Sequence, residues 1–239
     1  MASALKFIAI VPAAGVGKRM QANCPKQYLR INNETILSHT VMRLLNHPLI
    51  SQVIVALGTD DQYFAESQLA HHKDIIRVNG GTERVNSVLN GLKAVNRDKY
   101  PWVLVHDAAR PCVSHQDIDK LITQCLSNDY GGILATPVRD TMKRGICTEG
   151  DSSSIESTVE REQLWHALTP QMYKTDELTL AIEQALENSL KITDEASAIE
   201  QANLPSLLVS ASSENIKITH PNDLALAEFY LNKQNNNTN

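Results

Sequence analysis

Phe7-Ile8-Ala9-Ile10-Val11-Pro12-Ala13-Ala14-Gly15-Val16-Gly17-Lys18-Arg19-Met20 is the stretch that decides how this chain folds. Five apolar residues in a row, three of them β-branched (Ile8, Ile10 and Val11), suit a strand covered on both faces. Pro12 ends the run. Two small residues and two glycines then allow a sharp turn in which the backbone can approach a ligand closely. Lys18 and Arg19 set positive charge where the next element begins. Strand, glycine turn and cations together read as a phosphate cradle at the carboxyl edge of an open α/β sheet. An ordinary strand-to-helix turn has the same outline, so the turn alone does not settle a function.

Two familiar phosphate loops are excluded. A dinucleotide fingerprint asks for a third glycine, but Met20 stands after the two cations. A Walker loop asks for Gly-Lys-Ser/Thr, but Gly17-Lys18 leads to Arg19.

With 239 residues, 42% hydrophobic and 21% charged, the chain can build one sizeable globular core. A net charge of −5 without a basic block argues against a nucleic-acid surface. Cys24, Cys112, Cys125 and Cys147 have no close pairing, which speaks for reduced thiols and a cytoplasmic protein. No apolar run reaches membrane-spanning length, and none near the start has the form of a signal peptide.

Outward from the first turn, strands and helices alternate. Pro25 stiffens the chain before Lys26, a second cation within reach of the same anion. Ile31 to Glu34 reads as a tight turn, and Thr35 caps a helix carrying Ile36, Leu37, Val41, Leu44 and Leu45. Val53–Leu57 is the second strand, with helix expected over 60–70. Ile75–Val78 is the third, ending in Asn79-Gly80-Gly81. Thr82 then caps a helix with Val85, Val88, Leu89 and Leu92 inward, so Arg84 and Ser87 can point at the ligand. Trp102–His106 is a fourth strand that runs into Asp107-Ala108-Ala109-Arg110. A carboxylate there is a candidate ligand for a divalent cation on a polyphosphate, and Arg110 can hold a second anion.

Ser114 caps a helix over 115–126, and Gly131–Val138 is a fifth strand. Residues 138–161 read as a projecting hairpin arm: extended, polar, extended again, and barely stable without a partner. A second copy of the chain is the simplest partner. Beyond the arm come a helix over 174–186, Thr193 as a cap, strands at Leu207–Val209 and Asn215–Ile218, and a last helix carrying Leu224, Leu226, Ala227 and Tyr230. The expected organisation is one doubly wound, mostly parallel α/β domain over 1–233, with a disordered polar tail over 234–239. His71-His72 lacks a third ligand at recognisable spacing, and no Gly-x-Ser-x-Gly elbow is present.

Taken in order, the motifs resemble one family. Pro12-Ala13-Ala14-Gly15-x-Gly17-x-Arg19-Met20 and Pro25-Lys26-Gln27-Tyr28 are similar to the signature of sugar and polyol-phosphate nucleotidyltransferases. Gly80-Gly81-x-x-Arg84-x-x-Ser87, Val105-His106-Asp107-Ala108-Ala109-Arg110-Pro111, Pro137-x-x-Asp140-Thr141, Thr169-Pro170-Gln171, Thr193-Asp194-Glu195-Ala196 and Asn215-Ile216-Lys217 narrow it to the 2-C-methyl-D-erythritol 4-phosphate cytidylyltransferases. The resemblance implies a Rossmann-like nucleotidyltransferase fold and a homodimer with exchanged arms. It implies transfer of a cytidylyl group from CTP to methylerythritol phosphate, with Mg²⁺ on the triphosphate and Asp107 close by. It assigns catalysis to Arg19, Lys26 and Lys217, and the nucleotide to Ala13, Ala14, Gly15, Gly17, Gly81, Arg84 and Ser87. The acceptor falls to Asp107, Ala108, Arg110, Thr169 and Thr193, with Thr141 and Arg161 reaching in from a partner's arm. Thr82 stands where the family more often has an acidic residue. A cytidylyltransferase for another polyol phosphate, such as ribitol 5-phosphate, shares the nucleotide half of this pattern. So does a non-catalytic nucleotide-binding regulator on the same fold.

Overall fold

The computed structural model describes residues 5–15, 24–147 and 153–236. Phe7–Pro12 forms β1, an interior strand of a seven-stranded sheet. Alternate residues of β1 point to opposite faces, and both faces are covered. Phe7, Ala9 and Val11 join a core with helices α1 (Ile36–Leu45) and α3 (His115–Asn128). Ile8 and Ile10 join another with α2 (Arg84–Lys93), α4 (Thr175–Glu187) and α5 (Glu195–Gln201). Burying a side chain such as Ile10 contributes about 1.5–3 kcal/mol. At Gly91 α2 lies so close to β1 that a Cβ there would sit 2.6 Å from Ile10.

A short hairpin, β2 (Arg30–Ile31) and β3 (Glu34–Thr35), turns through Asn32 and Asn33, both with positive φ. Thr35 caps α1 as expected, accepting the Ser38 N–H. The remaining strands are β4 (Ile50–Leu57), β5 (Ile75–Asn79), β6 (Trp102–Val105), β7 (Gly132–Pro137), β8 (Met142–Cys147), β9 (Ser153–Val159), β10 (Trp165–Lys174) and β11 (Leu207–Ser210). The sheet order is β11-β7-β10-β6-β1-β4-β5, and only β10 runs antiparallel to its neighbours. The chain winds outward from β1 through β4 to β5, then returns to β1's other side at β6. The carboxyl ends of β1 and β6 therefore flank a topological switch point, where open α/β sheets bind ligands. β8 and β9 pair only with each other, as a two-stranded sheet outside the main one.

Several expectations needed correction. Residues 60–70 form two 3₁₀ turns, Phe64–Glu66 and Gln68–His71, because Asp61 Oδ1 accepts the N–H groups of Tyr63 and Phe64 and Ser67 is extended. The cap of α2 is Glu83, whose N–H reaches Asn86 Oδ1, and not Thr82. The cap of α5 is Asp194, not Thr193. Asn215–Ile218 is not a strand: the carbonyls of Asn215 and Ile218 serve the side chains of Arg110 and Lys26. The last helix, α6 (Asn222–Asn236), extends into the expected tail, and Gln234 bonds the Cys112 carbonyl and Arg43. On α6, Ala227 and Leu231 are buried, while Leu226 is exposed. Among the described residues no helix is long and apolar enough to cross a membrane.

Candidate active site

A cleft of about 190 Å³ opens at the switch point. The turn after β1 supplies Ala13, Ala14 and Gly15; the turn after β5 supplies Gly81, Arg84 and Ser87; the turn after β6 supplies Asp107 and Ala108. Lys26 and Lys217 complete the rim. Gly17 and Arg19 lie outside the described residues. The first turn is fixed by Gln27, whose buried amide donates to the Ala13 carbonyl at 2.7 Å. Gly80 packs against that turn so tightly that a Cβ would lie 2.5 Å from the Ala14 Cβ. Ser87 is buried; its hydroxyl accepts the Gly81 N–H at 3.0 Å and donates to the Glu83 carbonyl. It therefore shapes the turn, with one acceptor lone pair left for a ligand.

The opposite wall is electrostatic. Asp107 Oδ2 meets Lys217 Nζ at 2.8 Å and Arg110 Nε at 3.5 Å, and Oδ1 meets Arg84 Nε at 3.0 Å. Burial alone would raise the Asp107 pKa, but Arg84, Lys217 and Arg110 hold it far below the carboxylate range. Arg84 has a second partner. Its Nη1 and Nη2 reach Glu195 Oε1 and Oε2 at 2.6 and 3.0 Å. Burial opposes the Arg84 charge, but Glu195 and Asp107 outweigh it and hold its pKa above the usual value. Arg110 is itself buried, and its Nη1 donates to the Asn215 carbonyl at 2.7 Å. It ties the 215–218 loop to Asp107 from behind the cleft.

Thr169 is similarly engaged. His106 Nε2 lies 2.9 Å from the Arg110 carbonyl, so that nitrogen carries the proton. Burial pushes the His106 pKa down to about 4, so the ring is neutral and Nδ1 is an acceptor. The Thr169 hydroxyl must then donate to Nδ1, at 2.9 Å, while it accepts the Asp107 N–H at 3.0 Å. One acceptor lone pair remains, which suits a hydroxyl donor and not a phosphate oxygen. Thr193, Thr141 and Arg161 are exposed and do not line the cleft; the Arg161 guanidinium donates to the Arg139 carbonyl.

A family model described as 2-C-methyl-D-erythritol 4-phosphate cytidylyltransferase matches residues 7–233. The chain belongs to that family. It is 91% identical to the 2-C-methyl-D-erythritol 4-phosphate cytidylyltransferase of Colwellia psychrerythraea (strain 34H), with 100% of both chains covered. It is 57% identical to the enzyme of that name from Vibrio vulnificus (strain CMCP6), over 97% of each. A crystal structure of the Francisella tularensis enzyme superposes with a TM-score of 0.79 at 37% identity, covering 94% of this chain and 99% of that one. The chain is thus a cytidylyltransferase, within the wider nucleotidyltransferases.

The cleft joins Ala13, Ala14, Gly15, Gly81, Arg84 and Ser87, which the resemblance assigns to the nucleotide, to Lys26, Asp107 and Lys217, and leaves Thr193 and the described arm residues apart. The donor set does not fit a divalent cation held by the protein. Both Asp107 oxygens already face cations, and the described residues contain no group of three His, Cys, Asp or Glu able to hold a metal. A larger surface cavity of about 780 Å³ holds His39, His72 and His115. Their ring nitrogens serve the Ile31 carbonyl, the Asp74 N–H and the Arg43 carbonyl. The reading by residues missed Gln27, His106, Glu195 and Asn215. All four stand inside quoted motifs, but each acts through a neighbour and carries no spacing signal of its own.

Proposed function

We infer that this cleft is where the cytidylyl group of CTP passes to 2-C-methyl-D-erythritol 4-phosphate, releasing pyrophosphate and yielding 4-diphosphocytidyl-2-C-methyl-D-erythritol for isoprenoid synthesis. A phosphate monoester is already nucleophilic near neutral pH, so the protein must align two repelling anions and stabilise charge growing on the α-phosphoryl oxygens. The observation that carries this reading is the convergence of two ammonium groups. Lys26 Nζ donates to the carbonyl of Ile218, the residue after Lys217, and Lys217 Nζ rests on Asp107 at the same rim. Lys26, with Lys217 beside it, meets the transferring phosphoryl group, a role the resemblance also assigns to Arg19. The small turns at Ala13-Ala14 and Gly80-Gly81 take a pyrimidine. Asp107, an acceptor-only carboxylate, receives hydroxyls of the polyol, and Thr169 accepts another. Magnesium arrives on the triphosphate, and the reading asks no residue of the chain to hold it.

Dimerisation through the arm is part of the same reading. Met142, Ile146 and Ile155 on β8 and β9 are 38%, 48% and 68% exposed, and a second copy would cover them. That copy's arm would bring Thr141 and Arg161 to the acceptor phosphate. A cytoplasmic setting agrees with the unpaired thiols Cys24, Cys112 and Cys125.

The test is pyrophosphate release with CTP, ATP or GTP against methylerythritol phosphate or ribitol 5-phosphate. Turnover is expected with CTP and methylerythritol phosphate. Comparable turnover with a purine triphosphate or with ribitol 5-phosphate overturns the assignment of the two walls.

A further inference from the structure

Glu195 is 2% exposed, opens α5, and faces a core that includes Ala196, Ala198 and Ile199. A carboxylate there carries a large desolvation cost, and a buried ion pair is seldom worth more to stability than apolar residues of the same volume. The pair has a consequence that apolar residues could not supply. Glu195 takes both terminal nitrogens of Arg84, which leaves Nε as the nitrogen that meets Asp107. Glu195 is itself held firmly: Gln171 of β10 accepts the Ala196 N–H and donates to Asp194, each at 2.8 Å.

We propose that Glu195 is a positioning residue for the acceptor. By clamping Arg84 it fixes the Asp107 carboxylate between Arg84 and Lys217, and it keeps the Arg84 fork away from the triphosphate. The chain from β10 through Glu195 and Arg84 to Asp107 makes the acceptor wall rigid before substrate arrives. Arg84, assigned to the nucleotide by resemblance, thereby acts on the acceptor. The proposal rests on the reading that Asp107 meets the polyol.

Steady-state kinetics of the full-length enzyme, varying each substrate separately, tests it. Glu195→Gln keeps the shape and removes the charge. Its KM for methylerythritol phosphate should rise at least about tenfold, a common loss when an outer-shell partner is removed, while the KM for CTP stays near wild type. The double variant Arg84→Met/Glu195→Met removes the pair with apolar groups and keeps a decision available if Glu195→Gln does not fold. It should fold with a cooperative thermal transition and retain the raised acceptor KM. Wild-type acceptor KM in either variant overturns the clamp, as does an equal rise in both KM values. Asp107→Asn, measured alongside, separates the two levels. If it leaves the acceptor KM unmoved, the Asp107 reading falls and the clamp with it. If it raises that KM while the Glu195 variants do not, only the clamp falls.

Discussion

Asp107 is 7% exposed and has three cations within 3.5 Å. Arg161, at the return of the arm, is exposed, and its guanidinium donates to the Arg139 carbonyl. The resemblance assigns both to the acceptor, yet they are held in different ways. In the cleft the charge of Asp107 is fixed by Lys217, Arg110 and Arg84, and that of Arg84 by Glu195, so the field there is set by the fold itself. The arm has two strands paired with one another and apolar side chains open to solvent. Under the proposed dimer, its residues would join a site that the partner supplies. Substitutions in the cleft should therefore act on several partners at once, and substitutions on the arm should act locally.

The strongest challenge to this contrast is Lys26→Ala. Turnover should fall by at least about a hundredfold, as for loss of one donor to charge that grows in the transition state. CTP affinity, measured by direct titration, should change much less. Near-normal turnover with weak CTP binding would make Lys26 an ordinary binding cation and erase the distinction.

Arg161→Ala sharpens the other side. An arginine on a phosphate contributes roughly 1.5–3 kcal/mol, so the KM for methylerythritol phosphate should rise about ten- to a hundredfold and that for CTP little. Mixing Arg161→Ala chains with Lys26→Ala chains then asks whose arm serves which site. If arms are exchanged, a mixed dimer has one site with both residues intact, and activity recovers. No recovery after verified subunit exchange would leave each arm serving its own chain.

A smaller effect is expected from Gly80→Ala. The new methyl meets the Ala14 Cβ at 2.5 Å and the Ser87 hydroxyl at 3.0 Å, so the two turns must part. Overpacking of this kind should raise the KM for CTP by about tenfold, with less change for the acceptor. An equal change in both would mean that the nucleotide and acceptor walls are not separate.

His106 should leave turnover at neutral pH untouched and show itself only in acid. Its folded pKa of about 4 lies below the ordinary value near 6.5, because burial disfavours the charged ring. The unfolded chain therefore takes up the proton first. The contribution is intact above pH 6.5 and declines as pH falls toward about 4. The His106 ring resonances should stay in their neutral positions until pH approaches 4, while the urea midpoint falls through that window. A ring that titrates near 6.5 would contradict the tautomer assigned to the Thr169 contact.

The central strands were legible because burial on both faces leaves long apolar runs, as at Phe7–Val11 and Val53–Leu57. The helix starts at Glu83 and Asp194 were misplaced by one residue because two adjacent polar residues can each cap, and the choice depends on where Asn86 and Ser197 turn. Asn215–Ile218 alternates like a strand, but its carbonyls are claimed by Arg110 and Lys26, which no local pattern records. Arg84 was read as facing the ligand; its partner Glu195 lies 111 residues away, and only the fold brings them together. What the sequence shows is chemistry that repeats locally, and what it hides is which distant residue satisfies a charge.

The bond from Lys26 to Ile218 spans 192 residues. On the ribosome, at roughly 5–20 residues per second, the first lysine emerges some 10–40 s before the loop that holds it. β1 can find β4 and β6 well before then, and the turn at Ala13–Gly15 can take shape early. The acceptor wall cannot close until residue 218 arrives and α6 covers it. A nascent chain released short of that point would be most of a sheet without the means to bring its two substrates together.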